Sequence, residues 1–186
     1  KSDGPQLITN ANVPVALRRP LKPGDAWYGK KNGQKAYEMM SCYVGLLELF
    51  RVTGDPDLLK SAEITWQHIV DEEINVCGSG ASHECWYGGR ALQTRVSALT
   101  METCVTFTWM QFCERLLEFT GDPKYVDQIE RTMYNALMAS MKADGSQIVK
   151  YTPLEGYRQE GEHQCHIPIN CCNANGPRAF AMIPRV

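Results

Sequence analysis

The chain has 186 residues, of which 44% are hydrophobic and 22% charged, and its 19 basic and 21 acidic side chains leave a net charge of -2. That length supports one domain with a full apolar core, and with no basic run beyond Arg18-Arg19 and Lys30-Lys31 the balance excludes the electrostatic footprint of a nucleic-acid or membrane-surface binder. No stretch reads as a membrane span or a signal-peptide core, and a chain that starts at Lys1 and stops at Val186 just after an apolar run is expected to be a fragment.

Residues 1–35 are rich in Pro, Gly and Asn and have no period, so they are expected to form an extended or loop lead-in to a helical domain over 36–186. Residues 36–52 carry Met40, Val44, Leu47 and Phe50 at helical spacing. Thr53-Gly54-Asp55-Pro56 then closes one helix and opens the next: Gly54 suits a left-handed C-cap, Asp55 an N-cap and Pro56 the first turn. The same phrase returns 67 residues later as Thr120-Gly121-Asp122-Pro123. It follows a helix expected from about Met101 to Phe119 and precedes another whose Ile129, Met133, Ala136 and Leu137 make an inward stripe. Leu49, Ala62 to Thr65 and Val70 stand over Leu116, Ile129 to Thr132 and Leu137 in the second copy. Two helices and a long insertion per copy describe a ring or solenoid of hairpins rather than a four-helix bundle with short loops. The insertions, 75–100 and 142–173, belong on one rim. Alternation over Gln147 to Tyr151 predicts a short strand, and Asn173 to Pro177 predicts a turn into a helix starting near Pro177. Trp66, Trp109, Met39, Met40 and Met133 are expected in the core, with His68 structural.

Eight cysteines in 186 residues are too few for a disulfide-built scaffold, although four disulfides remain an alternative. Cys42 and Cys113 lie in apolar helical segments and read as packed core thiols. Glu102-Thr103-Cys104 and the adjacent pair Cys171-Cys172 together offer three thiolates and a carboxylate, a set suited to one tetrahedral Zn²⁺. Residues two apart on a helix diverge by about 200°, so Glu102 and Cys104 are expected to precede regular helix, and Cys171 and Cys172 to need a sharp turn. Closed four-ligand thiolate sites commonly only hold a fold together. Reduced cysteine ligands fit a cytoplasm better than an oxidising periplasm.

Met101 to Cys104 (METC), Asn170 to Cys172 (NCC) with Arg178 after it, Tyr134 to Leu137 (YNAL) and Tyr151 to Glu155 (YTPLE) resemble glycoside hydrolase family 127, the bacterial β-L-arabinofuranosidases, with relatives in family 146. The resemblance runs from about residue 35 to the end. It implies an all-α fold, helical hairpins forming part of an (α/α)6 barrel with short β segments in rim loops. It also implies Zn²⁺ held by Glu102, Cys104, Cys171 and Cys172, with Cys171 as the nucleophile of a retaining glycosidase acting on an arabinofuranose-containing oligosaccharide or glycan. The family's general acid lies on the loop before the Glu-x-Cys triplet, where Glu84 fits ahead of Glu72, Glu73 and Glu155. Trp86 and Tyr87 beside it are expected to hold a sugar ring and raise the acid's pKa. Tyr151 and His83 are expected to contact substrate, with His163 and His166 as lesser candidates. A helical zinc module whose one glutamate and three cysteines serve a purely structural site is the alternative function. A papain-like site is rejected because Cys85-Trp86 lacks the flanking Gly-x-Cys, and a nucleotide loop because Gly78-Ser79-Gly80 lacks a third glycine. About a third of a barrel is expected here, so the isolated chain should self-associate or need the remainder of the barrel.

Overall fold

The computed structural model describes residues 34–86, 98–158 and 170–186. Apart from Gln34 and Lys35, the expected lead-in lies outside the described residues, as do Tyr87, His163, Cys165 and His166. In chain order the elements are β1 (Gln34–Lys35), α1 (Ala36–Thr53), α2 (Pro56–Glu72), β2 (Cys85–Trp86), α3 (Thr103–Thr120), α4 (Lys124–Thr132) and α5 (Cys171–Met182). A π-helical turn over Met133–Leu137 and one α-turn over Met138–Ser140 prolong α4. β1 and β2 pair antiparallel, Gln34 opposite Trp86 and Lys35 opposite Cys85. No helix among the described residues is long and apolar enough to cross a membrane.

The expected repeat is present down to its hydrogen bonds. Gly54 and Gly121 cap α1 and α3 with φ of 69° and 68°, a left-handed conformation that glycine adopts without a Cβ penalty. The Thr53 hydroxyl donates to the Leu49 carbonyl at 2.9 Å and accepts from the Asp55 N–H at 3.3 Å. Thr120 does the same with Leu116 at 2.7 Å and Asp122 at 3.2 Å. Asp55 accepts from the Asp57 N–H and Asp122 from the Lys124 N–H, each at 3.0 Å. Thr65 and its counterpart Thr132 are both fully buried.

α3 is the central helix, packed against α1, α4 and α5. Val105 through Met110 are buried without a break, as expected of a helix surrounded by neighbours. Trp109 stacks on Trp66 with centroids 6.0 Å apart, and Tyr125 meets Trp66 edge-on at 4.7 Å. These aromatic contacts lock the second hairpin onto the first, each pair adding about 1 kcal/mol beyond the area it buries. Met39 and Met40 are core residues, and Met133 packs against the core, as expected. The α1 stripe is rotated from its expected position: Ala36, Met39, Met40, Tyr43 and Leu47 are buried, whereas Val44 and Phe50 are only partly covered. Cys42 therefore lies on the outer side and is exposed, not a packed core thiol, while Cys113 is buried. All seven cysteines among the described residues are free thiols.

The expected strand over Gln147 to Tyr151 is reduced to two isolated bridges, Met141 with Ile148 and Glu102 with Tyr151. Each bridge ties the arm to a different partner, so no continuous ladder forms. α5 starts at Cys171, six residues before the expected start at Pro177. The Asn170 side chain accepts from the Cys172 N–H at 2.9 Å and the Asn173 side chain from the Asn170 N–H at 2.8 Å. This reciprocal cap, built with Asn in place of Glu or Gln, fixes the earlier start and leaves Pro177 inside the helix.

Candidate metal centre and acid-base site

Two helix N-termini converge on the site. Glu102 is the N-cap residue of α3, and its extended backbone (φ -55°, ψ 133°) turns its side chain so that it shares a centre with Cys104. Cys104 itself lies in the first helical turn rather than before it. Cys171 and Cys172 open α5, and a helix start serves where a sharp turn was expected. N-terminal turns expose unpaired N–H groups and the positive end of the helix dipole, which favour anionic ligands by about 0.3–1 kcal/mol each.

The Cys104 sulfur lies 3.0 Å from that of Cys171 and 3.3 Å from that of Cys172. The Glu102 carboxylate oxygen lies 3.9 Å from Cys171 and 3.7 Å from Cys172. All four ligand atoms fall within 4.8 Å of one another. Two sulfurs bound tetrahedrally at about 2.3 Å from zinc would stand about 3.8 Å apart, so the donors need only spread slightly around an ion. Burial, then the charges of Glu84 and Cys171, push the Glu102 carboxyl up to about 8. The sulfur contact with Cys171 drives Cys104 well above the usual thiol range, and contacts with Cys104 and Cys171 do the same to Cys172. Four acidic groups packed this closely cannot all ionise alone, and a divalent cation removes that conflict. The residues fit a thiophilic metal. Glu102, Cys104 and Cys172 are buried, and Cys171 is exposed.

Three segments are laced together beside this cluster. His83 N–H donates to the Leu99 carbonyl at 2.7 Å, Met101 N–H to Gly80 at 3.1 Å, Thr103 N–H to Lys150 at 2.9 Å and Thr152 N–H to Thr100 at 3.1 Å. Ala81, His83, Glu84 and Met101 all hold positive φ, between 51° and 67°. Non-glycine residues held this way cost about 1 kcal/mol or more each, and such strain concentrates at functional sites. In this frame Glu84 receives hydrogen bonds from Tyr151 Oη and Lys35 Nζ, and Lys150 Nζ stands 3.2 Å away. Burial alone would raise the Glu84 carboxyl, but the bonds from Lys35 and Tyr151 and the lysine charges hold it below the ordinary range. This corrects the expectation of a raised acid. Burial and the neighbouring Glu84 push the Tyr151 hydroxyl far upward, so it stays a donor.

Of the expected sugar contacts, Tyr151 is buried against Glu84 and His83 stands exposed, its Nδ1 3.0 Å from the Ser82 hydroxyl. Trp86 is corrected: at 0% exposure it belongs to the core, because the β1 pairing turns its ring inward. Glu73 is buried and Glu155 exposed. Lys35 and Lys150 carried no local signal in the sequence. Lys150 reaches Glu84 together with its neighbour Tyr151 only because the backbone bends there instead of alternating as in a strand.

The sequence matches the family described as beta-L-arabinofuranosidase, GH127 catalytic domain, over residues 15–185. It is 25% identical over 154 residues to a non-reducing end beta-L-arabinofuranosidase of Bifidobacterium longum subsp. longum, covering 76% of this chain and 23% of that protein. The crystal structure of a GH127 beta-L-arabinofuranosidase from Geobacillus stearothermophilus T6 superposes with a TM-score of 0.66 at 23% identity, over 82% of this chain and 26% of that one. A structure described as a glycoside hydrolase matches with a TM-score of 0.66 at 26% identity, over 81% of this chain and 29% of that one. The chain thus spans about a quarter of the length of these relatives. Their (α/α)6 barrel is the fold to which these hairpins belong.

Proposed function

Because this chain belongs to the GH127 beta-L-arabinofuranosidase catalytic-domain family, we propose that it forms part of a retaining glycoside hydrolase releasing terminal β-L-arabinofuranosyl residues from an oligosaccharide or glycan. Residues 36–186 contribute part of the catalytic domain, and 1–35 lead into it. The observation that carries the proposal is the gathering of Glu102, Cys104, Cys171 and Cys172 within 4.8 Å, with Cys171 the exposed residue of the three cysteines. Those four side chains would hold Zn²⁺, which supplies the positive charge that keeps sulfur as thiolate at neutral pH.

Cys171 attacks the anomeric carbon, the glycosidic C–O bond breaks, and Glu84 gives its proton to the departing oxygen. A sugar is then joined to Cys171 through sulfur. In the second half, the Glu84 carboxylate takes a proton from water as the water oxygen displaces sulfur from the side the first leaving group vacated, opposite the C–S bond, and the two inversions together keep the anomeric configuration. Lys35 and Lys150 favour the carboxylate that this second half needs, and the first half draws on the protonated fraction. Tyr151 orients the Glu84 carboxyl, and the exposed His83 is available to a sugar hydroxyl.

The test is release of p-nitrophenol from p-nitrophenyl β-L-arabinofuranoside. Cys171→Ser is expected to lower turnover by on the order of a thousand-fold or more in a chain that stays folded. Full turnover by that variant would remove Cys171 from the nucleophile's role. The burial of Cys104 and Cys172 suits a purely structural metal module as well. A native protein that binds zinc and cleaves no arabinofuranoside would favour that second function.

A further inference from the structure

Asn175 and Arg178 lie three residues apart on α5, and Cys104 and Phe107 lie three apart on α3, which packs against it. Each pair occupies one helix face, so the two meet across the helix interface. The Asn175 side chain is 4% exposed. Its amide nitrogen donates to the Cys104 sulfur at 3.1 Å, and its amide oxygen accepts from Arg178 Nη1 at 2.9 Å. The Arg178 guanidinium rests over the Phe107 ring, 4.4 Å from its centre. A guanidinium has donors only, so it must face the amide oxygen, and this aims the Asn175 N–H at sulfur.

The three sulfurs of the cluster are thereby unequal. Cys104 receives an amide proton, Cys172 is enclosed 4.0 Å from the Lys150 carbonyl, and Cys171 is exposed. A hydrogen bond donated to thiolate draws charge off the sulfur, which makes it a poorer nucleophile while fixing its direction as a ligand. We infer that Asn175, oriented by Arg178, is a positioning residue that holds Cys104 as a spectator ligand and leaves Cys171 as the sulfur that reacts. This rests on the metal and nucleophile assignments made above.

Co²⁺ is the probe, because thiolate-to-cobalt charge-transfer absorption reports directly on the sulfur–metal bonds. The native chain is expected to bind one Co²⁺, and iodoacetamide to label Cys171 ahead of Cys104. Asn175→Asp keeps the side-chain volume and the pairing with Arg178 but loses the N–H donor. Arg178→Ala, at an exposed position, lets the amide turn over without emptying the core. Both variants are expected to weaken Co²⁺ binding by about ten-fold or more, to shift the charge-transfer band and to raise Cys104 labelling relative to Cys171. Circular dichroism checks that each is folded, and R178A decides alone should N175D not fold. Native affinity, band and labelling in folded variants overturn the inference while the metal centre stands. A native chain that takes up no Co²⁺ overturns both.

Discussion

Glu84 is the residue on which two opposed demands fall. It sits between Lys35 and Lys150 with Tyr151 donating to it, an environment that stabilises its charged form, yet the proposed first step needs its proton. Removing one lysine by Lys150→Met takes away an opposing charge, so the carboxyl pKa rises and the protonated fraction persists to higher pH. The alkaline limb of kcat/KM is therefore expected to move upward in a pH-rate series. An unmoved or lowered limb would show that Glu84 is not the acid that limits the rate. The cluster of Glu102, Cys104, Cys171 and Cys172, which could hold a metal ion, was legible in the sequence because Glu-x-Cys and Cys-Cys are rare side-chain combinations with a common chemistry. Lys35, Lys150 and Asn175 were not, since each acts through a contact distant in sequence, such as Lys35 with Glu84, that no local spacing announces. Trp86 misled because an aromatic beside a carboxylate reads alike whether it faces a sugar or the core.

Among the elements, the helix boundaries written in Gly, Asp and Pro were readable wherever the cap followed a familiar form, as at Gly54-Asp55-Pro56 and its copy. The start of α5 was not, because its cap uses Asn170 and Asn173 and because Pro177, usually a first-turn residue, stands further inside. The segment carrying Glu84 depends on a close approach at Gly80. A β-carbon there would stand 2.4 Å from the Glu73 carbonyl oxygen and 2.9 Å from the Trp86 ring. The carbonyl is backbone and cannot swing aside, so Gly80→Ala is expected to cost about 1–3 kcal/mol in chemical denaturation. It should also depress turnover, because the Gly80 carbonyl binds the Met101 N–H just ahead of Glu102. A native denaturation midpoint would show that the 73–80 loop yields more readily than its contacts imply.

At the scale of the molecule, the repeat predicted the hairpins and the family resemblance their (α/α)6 barrel, the fold of relatives about three times as long. Val52, Val76, Tyr134 and Met138 are exposed, so the isolated 186-residue chain is expected to self-associate in light scattering, and a monodisperse monomer would count against a partial barrel. The spacing of the ligands has a consequence of its own. An ion gripped by Cys104 on one side and Cys171 on the other joins positions 67 residues apart. By the arithmetic used for a disulfide, closing a loop of that length removes about 4 kcal/mol of freedom from the unfolded ensemble. Unlike a disulfide, this cross-link can be withdrawn by a chelator, so digestion by a protease should quicken when EDTA is added and slow again when zinc is restored. The lifetime of the chain would then gauge how much free metal surrounds it.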